Sequence, residues 1–309
     1  MGDNRMKKIA AFILTLCMAL PLTACGDKVE ITMQEIYEAS NLGALIEKHE
    51  NVYVRYAESG NVYEEQYLSK EYSYSFMDGE VYGMDSDLMF FTTDDAFYSY
   101  SDGKYIRSII ISPDGMTDRY NPLDDARYVF EEDGLKETIK SVEIKDGQII
   151  VTSFESQESL EASGNVGLLS YNAKYVLDAK TRELISTAAD FEYDDGSVYN
   201  VVMDFIYDGE IPEEMKTFVE YDQQTEDLRT VTVVSNPNTE NEKSESVQVP
   251  KGVSVYFEPD MVFDFDYAVS SEADIEGVFD LYADAACTQP FEFPEGDDTD
   301  FTVYVQWNA

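Results

Sequence analysis

Basic residues are scarce in this chain: 21 Lys and Arg stand against 63 Asp and Glu, a formal net charge of −42 at pH 7. A surface so acidic repels nucleic acid, teichoic acids and anionic lipid headgroups. Nucleic-acid binding is thereby excluded, and cationic proteins or divalent ions are the partners that electrostatics favours. Histidine is reduced to His49, so any His-dependent triad has one candidate base. The nucleophile-elbow spelling G-x-S-x-G is absent, and no stretch fits the D-x-[DN]-x-[DN]-G-x5-E calcium loop. Cysteine occurs only at 17, 25 and 287, too few for a disulfide framework. The apolar run over 9–22 is shorter than the roughly 20 residues a bilayer core requires, which argues against a spanning helix.

What is present argues for a folded, acid-coated chain. A high charge alone would suggest disorder, yet 44% of the residues are hydrophobic, with 23 Tyr and 17 Phe. At 309 residues the chain can bury sizeable cores, most naturally as two domains.

At the N-terminus Lys7 and Lys8 precede the apolar stretch, which ends on Leu22-Thr23-Ala24-Cys25. This pattern resembles the bacterial lipoprotein signal. The resemblance implies a signal peptide over 1–24 and a lipidated tether over 25–30. It makes Cys25 the attachment site for acyl chains such as palmitate, holding the protein on the extracytoplasmic face of the cell membrane. Cys17 would leave with the leader, and Cys287 alone would remain, so no internal disulfide could form.

Downstream, Thr32-Met33-Gln34-Glu35 spells a capping box, and Ile36, Ala39, Leu42 and Ile46 follow at helical spacing. One amphipathic helix is expected over about 32–49, weakened by Gly43. From Asn51 the period becomes two: Tyr72, Tyr74 and Phe76 alternate with polar residues, as do Tyr199, Val201, Met203, Phe205 and Tyr207. Ser59-Gly60, Asp78-Gly79, Asp102-Gly103, Asp146-Gly147 and Asp195-Gly196 punctuate the runs as tight hairpin turns, predicting an antiparallel meander. Helical interruptions are expected over 122–132 and 212–220. The polar stretch 221–228 suggests a domain boundary near 224, followed by strands over 229–235, 245–248, 253–257 and 301–307, with a polar turn over 237–243.

Helix, meander, inserted helix, further hairpins and closing helix make up residues 29–222. That order, with Tyr175-Val176-Leu177-Asp178-Ala179-Lys180-Thr181-Arg182-Glu183-Leu184, resembles the LolA-like lipoprotein and lipid-carrier superfamily. The resemblance implies a mainly β, α+β fold over 31–224: a curved antiparallel half-barrel with helices plugging its concave side. In the tail, Phe279-Asp280-Leu281-Tyr282 through Pro290-Phe291, with a closing strand bearing Tyr304 and Trp307, is similar to the second half of internalin B-type β-grasp surface repeats. That implies a small β-grasp-like domain over 225–309. The upstream Gly-rich turn and Gly-Trp pair of the full repeat are missing.

Candidates for chemistry are few. Acid clusters occur at 94–95, 124–125, 194–195, 264 with 266, and Asp297, Asp298 with Asp300; at this acid density they read as solvated surface. No metal site is assigned. Ser101-Asp102-Gly103-Lys104 spells S-x-x-K, but an Asp-Gly hairpin inside it would deny the serine its helix start. His49 belongs at a helix end, where it would complement the dipole. Cys287 lacks a neighbouring His and is expected to be a packed residue. The alternating aromatics are mostly core and cross-strand packing. Ile109-Ile110-Ile111 and Val201-Val202-Met203 are apolar on both faces, so a second cover is expected there, either helices or an apolar guest.

These observations point to a non-catalytic, lipid-anchored binding protein without a cofactor. Its hydrophobic ligand would lie on the concave face, with Ile110, Val202 and Phe205 as candidate lining residues. The alternative is an interaction or adhesion module that contacts protein or glycan. A large apolar cavity would favour the first reading and a closed core the second.

Overall fold

The computed structural model describes residues 29–112, 114–117, 121–125, 129, 138–162, 167–259, 279–294 and 298–307. Cys25, the acid pair at 264 and 266, and Asp297 lie outside the described residues.

The capping box forms as spelled. Glu35 N–H donates to Thr32 Oγ1 at 3.2 Å and Thr32 N–H to Glu35 Oε2 at 2.8 Å, opening α1 (Met33–Ala39). The single helix expected over 32–49 is divided in two. Ser40 Oγ donates back to the Tyr37 carbonyl at 2.7 Å, and Asn41 Oδ1 accepts from Ala44 N–H at 2.8 Å to cap α2 (Leu42–Ile46). Short polar side chains that bond local backbone compete with helix continuation, so the break falls at Ser40-Asn41 rather than Gly43.

A first meander follows: β1 (Asn51–Glu58), β2 (Asn61–Ser69), β3 (Ser73–Met77), the one-turn α3 (Gly79–Tyr82), β4 (Leu88–Thr92), β5 (Phe97–Ser101) and β6 (Lys104–Ser112). β7 (Gly115–Thr117) folds back on β6, and Pro122–Asp125 forms a 3-10 turn where the longer 122–132 helix was expected; of residues 126–132 only 129 is described. A second meander comprises β8 (Thr138–Lys145), β9 (Gln148–Ser156), α4 (Gln157–Ala162), β10 (Leu168–Asp178), β11 (Leu184–Tyr193) and β12 (Val198–Tyr207). After α5 (Glu213–Asp222) come β13 (Leu228–Ser235), β14 (Lys243–Pro250), β15 (Ser254–Pro259), β16 (Phe279–Tyr282) and β17 (Phe301–Trp307).

Ser59-Gly60, Asp102-Gly103 and Asp146-Gly147 take positive φ at both residues, as tight hairpins require. Ser101 and Lys104 are therefore register partners across a β5–β6 hairpin, not neighbours on a helix. Asp78-Gly79 departs from expectation. The Asp78 carboxylate accepts from Glu80 and Val81 N–H at 2.9 and 3.2 Å, capping α3, and a Cβ at Gly79 would run into the Ser86 carbonyl. The glycine answers a close approach between segments, not a turn.

The two meanders form one mainly antiparallel sheet in the order β15-β6-β5-β4-β3-β2-β1-β12-β11-β10-β9-β8. β1 joins them, antiparallel to β12 from Val52↔Tyr207 to Glu58↔Val201. The sheet is curved and open, a half-barrel whose terminal strands β15 and β8 do not pair. β15 pairs parallel with β6, from Ser254↔Ile106 to Pro259↔Ile111, so the chain beyond residue 224 re-enters the large sheet. The remaining strands build a second sheet, β14-β13-β17-β16, with β13 and β17 parallel at its centre.

Alternation along the strands divides the apolar residues between two cores. On the inner, helix-bearing face, Ile36, Leu42, Leu45 and Ile46 pack on Val52, Val54, Tyr175, Leu177 and Phe205. On the outer face of β3–β6 and β15, Phe91, Tyr98, Ile109, Ile111 and Phe257 pack under Met215 and Phe218 of α5 and under Val231, Val249 and Val303 of the small sheet. Arg229, only 2% exposed, ties this second core together: Nη2 donates to the Val253 carbonyl at 2.6 Å and the guanidinium lies 5.5 Å from the Phe301 ring centre.

Candidate ligand surface

Among the described residues, the inner face has a helix-covered half and a less covered half over β4–β6 and β15. Helices α1 and α2 cover the former over β1, with β12, β10 and β9 completing the apolar packing described above. His49, just past α2, clips this cover down. Nδ1 lies 2.9 Å from Asp208 Oδ2, Nε2 lies 3.1 Å from Glu183 Oε1, and the ring stacks on Tyr207 at 4.5 Å. Burial lowers the His49 pKa, but the hydrogen bonds and charges of the two carboxylates outweigh it and raise the pKa above its ordinary value. The element that contains Glu183 is the strand, Asp, Lys-Thr turn, strand segment: Asp178 Oδ1 accepts from Lys180 and Thr181 N–H, each at 2.8 Å, closing the turn between β10 and β11.

The two best-formed clefts among the described residues are small. One of 230 Å³ lies between the helices and the β10–β11 turn, bordered by Ile31, Glu38, Leu45, Leu177 and Arg182; the other, of 170 Å³, lies beside the β1–β2 turn. Both fall below the roughly 300 Å³ at which pockets for drug-sized ligands begin, so neither is the large apolar cavity that would favour a carrier, and a ligand would have to lie on the sheet surface.

On the open half, cross-strand register places one row as Ser75, Phe90, Ser99 and Ile106 and the next as Ser73, Thr92, Phe97 and Ser108, with Ile110 beyond. Phe90 and Phe97 stack at 6.0 Å, and Phe90, Phe97, Ile106 and Ile110 remain half-buried. Small residues lie between these apolar side chains, and Ser73, Thr92 and Ser108 are themselves buried.

The three residues expected to line the ligand separate. Ile110 sits on this open inner half, paired with Glu258 of β15. Phe205 shares the inner face but lies in the helix-covered core, 5% exposed. Val202 points to the outer face, because residues three apart in an unbroken strand have opposite parity. The runs read as apolar on both faces resolve accordingly: Ile109 and Ile111 enter the outer core while Ile110 faces inward.

Sequence reasoning missed Glu258, 9% exposed on the inner face. Ser108 Oγ donates to its Oε1 at 2.6 Å. Burial pushes its pKa up against the opposing effect of the Ser108 hydrogen bond. Other acids have structural duties: Asp300 Oδ1 accepts from Thr230 N–H at 2.6 Å, and Asp195 Oδ1 from Ser197 N–H at 2.8 Å. Among the described residues no group of three His, Cys, Asp or Glu is placed to hold a metal. Cys287 is half-buried, its thiol pKa raised by burial and by Asp284, which is the reverse of an activated nucleophile.

No protein-family description and no curated protein matches the sequence. Among solved structures, the chain is similar to the lipoprotein LppX of Mycobacterium tuberculosis, at 10% identity and TM-score 0.32, over 58% of this chain and 96% of that one. It is also similar to LprF of Mycobacterium bovis, at 12% identity and TM-score 0.27, over 60% and 97%. A LolA superfamily protein from Nitrosomonas europaea follows at 13% identity and TM-score 0.20, over 60% and 97%. Likenesses this distant carry no weight in the functional reading below.

Proposed function

We propose that this chain is a lipid-anchored, extracytoplasmic, non-catalytic binding protein that takes a hydrophobic ligand on the open half of its inner sheet face. One observation carries the reading. Among the described residues, α1 and α2 cover the inner face over β1, β12, β10 and β9, while over β4–β6 the apolar side chains Phe90, Phe97, Ile106 and Ile110 stay half-buried, with Thr92 and Ser108 buried between them. The lipobox at Leu22-Thr23-Ala24-Cys25 supports the anchor and the extracytoplasmic address.

Burying ten methylenes on such a surface is worth roughly 8 kcal/mol before ordering losses. A fluorescent acyl probe with an uncharged head, such as a labelled monoacylglycerol, should therefore bind residues 29–309 saturably. Ile110→Glu, on the open half, should weaken binding at least tenfold, while Val202→Glu, on the outer face, should leave it unchanged. Equal loss in both variants, or no saturable binding, refutes the ligand site. The anchor is tested separately: Cys25→Ala should release the protein from membranes or block its processing.

A second reading has its own support. The small sheet, with a parallel central pair flanked by two antiparallel partners, fits a β-grasp-like unit, and Phe293 stands 51% exposed against Phe257 and Phe301. This arrangement suits a surface module for a protein or glycan partner.

A further inference from the structure

The open inner half differs from a simple grease-lined trough in its charge. Among the described residues, β2–β6 and β15 place Glu64, Glu258 and a single cation, Lys104, on this face. Lys104 stands at the hairpin end of β6, six residues from Ile110, which is about 20 Å along the strand. Glu258 is at the other end, in register with Ile110 and two residues from Tyr256, which pairs with Ser108. Its carboxylate is nearly buried, and its one described hydrogen bond comes from the neutral Ser108 hydroxyl. A carboxylate beside an apolar strip, held among the described residues by a hydroxyl and by no cation, is a site that a positive group completes and a second carboxylate opposes. The net charge of −42 acts in the same direction at long range.

Resting on the ligand-surface reading above, we infer that the ligand is a cationic amphiphile. Its apolar chain lies over Ile110, Phe97 and Phe90, and its ammonium or amine head pairs with Glu258 beside Ser108. A fatty acid or other anionic lipid is the class this surface disfavours, since its head would meet Glu258 with no described cation nearby. Glu258 acts here as a binding residue that sets head-group specificity.

The test uses three probes sharing a twelve-carbon or lauroyl chain, titrated below their aggregation thresholds into residues 29–309 in physiological salt. Dodecyltrimethylammonium carries the positive head, monolauroylglycerol a neutral one and dodecanoate a negative one. The cationic probe should bind at least tenfold more tightly than dodecanoate. Glu258→Gln, which can keep a hydrogen bond to Ser108, should shrink that ratio at least fivefold while leaving monolauroylglycerol within twofold. Glu143→Gln, an exposed acid on β8, should change nothing, which separates a local pairing from the general field. If Glu258→Gln does not fold, Ile110→Lys places an ammonium in register with Glu258 and should abolish the cationic preference by itself. Binding of all three probes with equal affinity, or a preference that survives both variants, overturns the head-group assignment while the ligand surface stands. Binding of none of the three overturns both.

Discussion

Replacing His49 by glutamine removes a clip between three distant parts of the fold: the end of α2, the β10–β11 turn and the end of β12. Protonated, the imidazole donates to Asp208 and Glu183 at 2.9 and 3.1 Å while stacking on Tyr207. Hydrogen bonds to charged groups are worth about 1.5–3 kcal/mol each when protected. Asp208 is 49% exposed, so its share is discounted for solvent screening. A total loss of about 2 kcal/mol at pH 5 is expected, a drop of about 4–8 °C in Tm for a chain near this size. The pH dependence is the sharper part. His49 has a folded pKa above its ordinary 6.5, so its contribution is complete below that value and fades as pH rises through the folded pKa. Asp208, held below its ordinary 3.8 chiefly by the His49 hydrogen bond, contributes above 3.8 and loses its share as pH falls through its lowered value. The gap between native protein and His49→Gln should therefore be widest between about pH 4 and 6.5, and less than half as large at pH 9. Thermal unfolding of both proteins followed by circular dichroism at pH 5, 7 and 9 measures it. A gap that is flat across this range, or that widens toward pH 9, refutes the argument.

Phe218→Ala should cost about 3–5 kcal/mol in a denaturant titration, since this fully buried ring of α5 meets Phe91 at 5.5 Å and Tyr105 at 5.0 Å; a cost under 1 kcal/mol would mean the outer core is loose. Limited proteolysis should cut in the polar 221–228 stretch, and the fragments should co-elute on a sizing column, because β15 belongs to the large sheet and the small sheet shares its outer core. Separation of the fragments without denaturant would show that the two parts are independent.

Much of the fold was legible because its signals are local. The capping box at Thr32, the paired positive φ values at three hairpins and the period of two along β12 each depend on neighbours within a few residues. The failures share a different cause. Asp78-Gly79 carries the same letters as a hairpin turn, but the nearby Ser86 carbonyl decides its role. The 253–257 strand is visible from its residues, whereas its parallel partner, some 150 residues earlier, is not. Parity along β12 was sufficient to place Val202 and Phe205 on opposite faces; apolar character alone grouped them. Glu258 is one acid among 63, distinguished only by the partner strand that buries it.

The seam between β1 and β12 has a consequence for how the chain is made. Each meander is ladder-like, every strand pairing with the next, and can assemble as soon as its own residues are available. The half-barrel exists only once Val52 finds Tyr207, and its edge is finished only when Ser254 finds Ile106. Contacts of such sequence separation are slow to form. A chain emerging N-terminus first therefore spends an interval as two unsewn ribbons, with Val52, Val54 and Tyr56 of β1 lacking the strand beside them. That first ribbon keeps an unpaired β1 edge until Tyr207, two-thirds of the way along the chain, has been made.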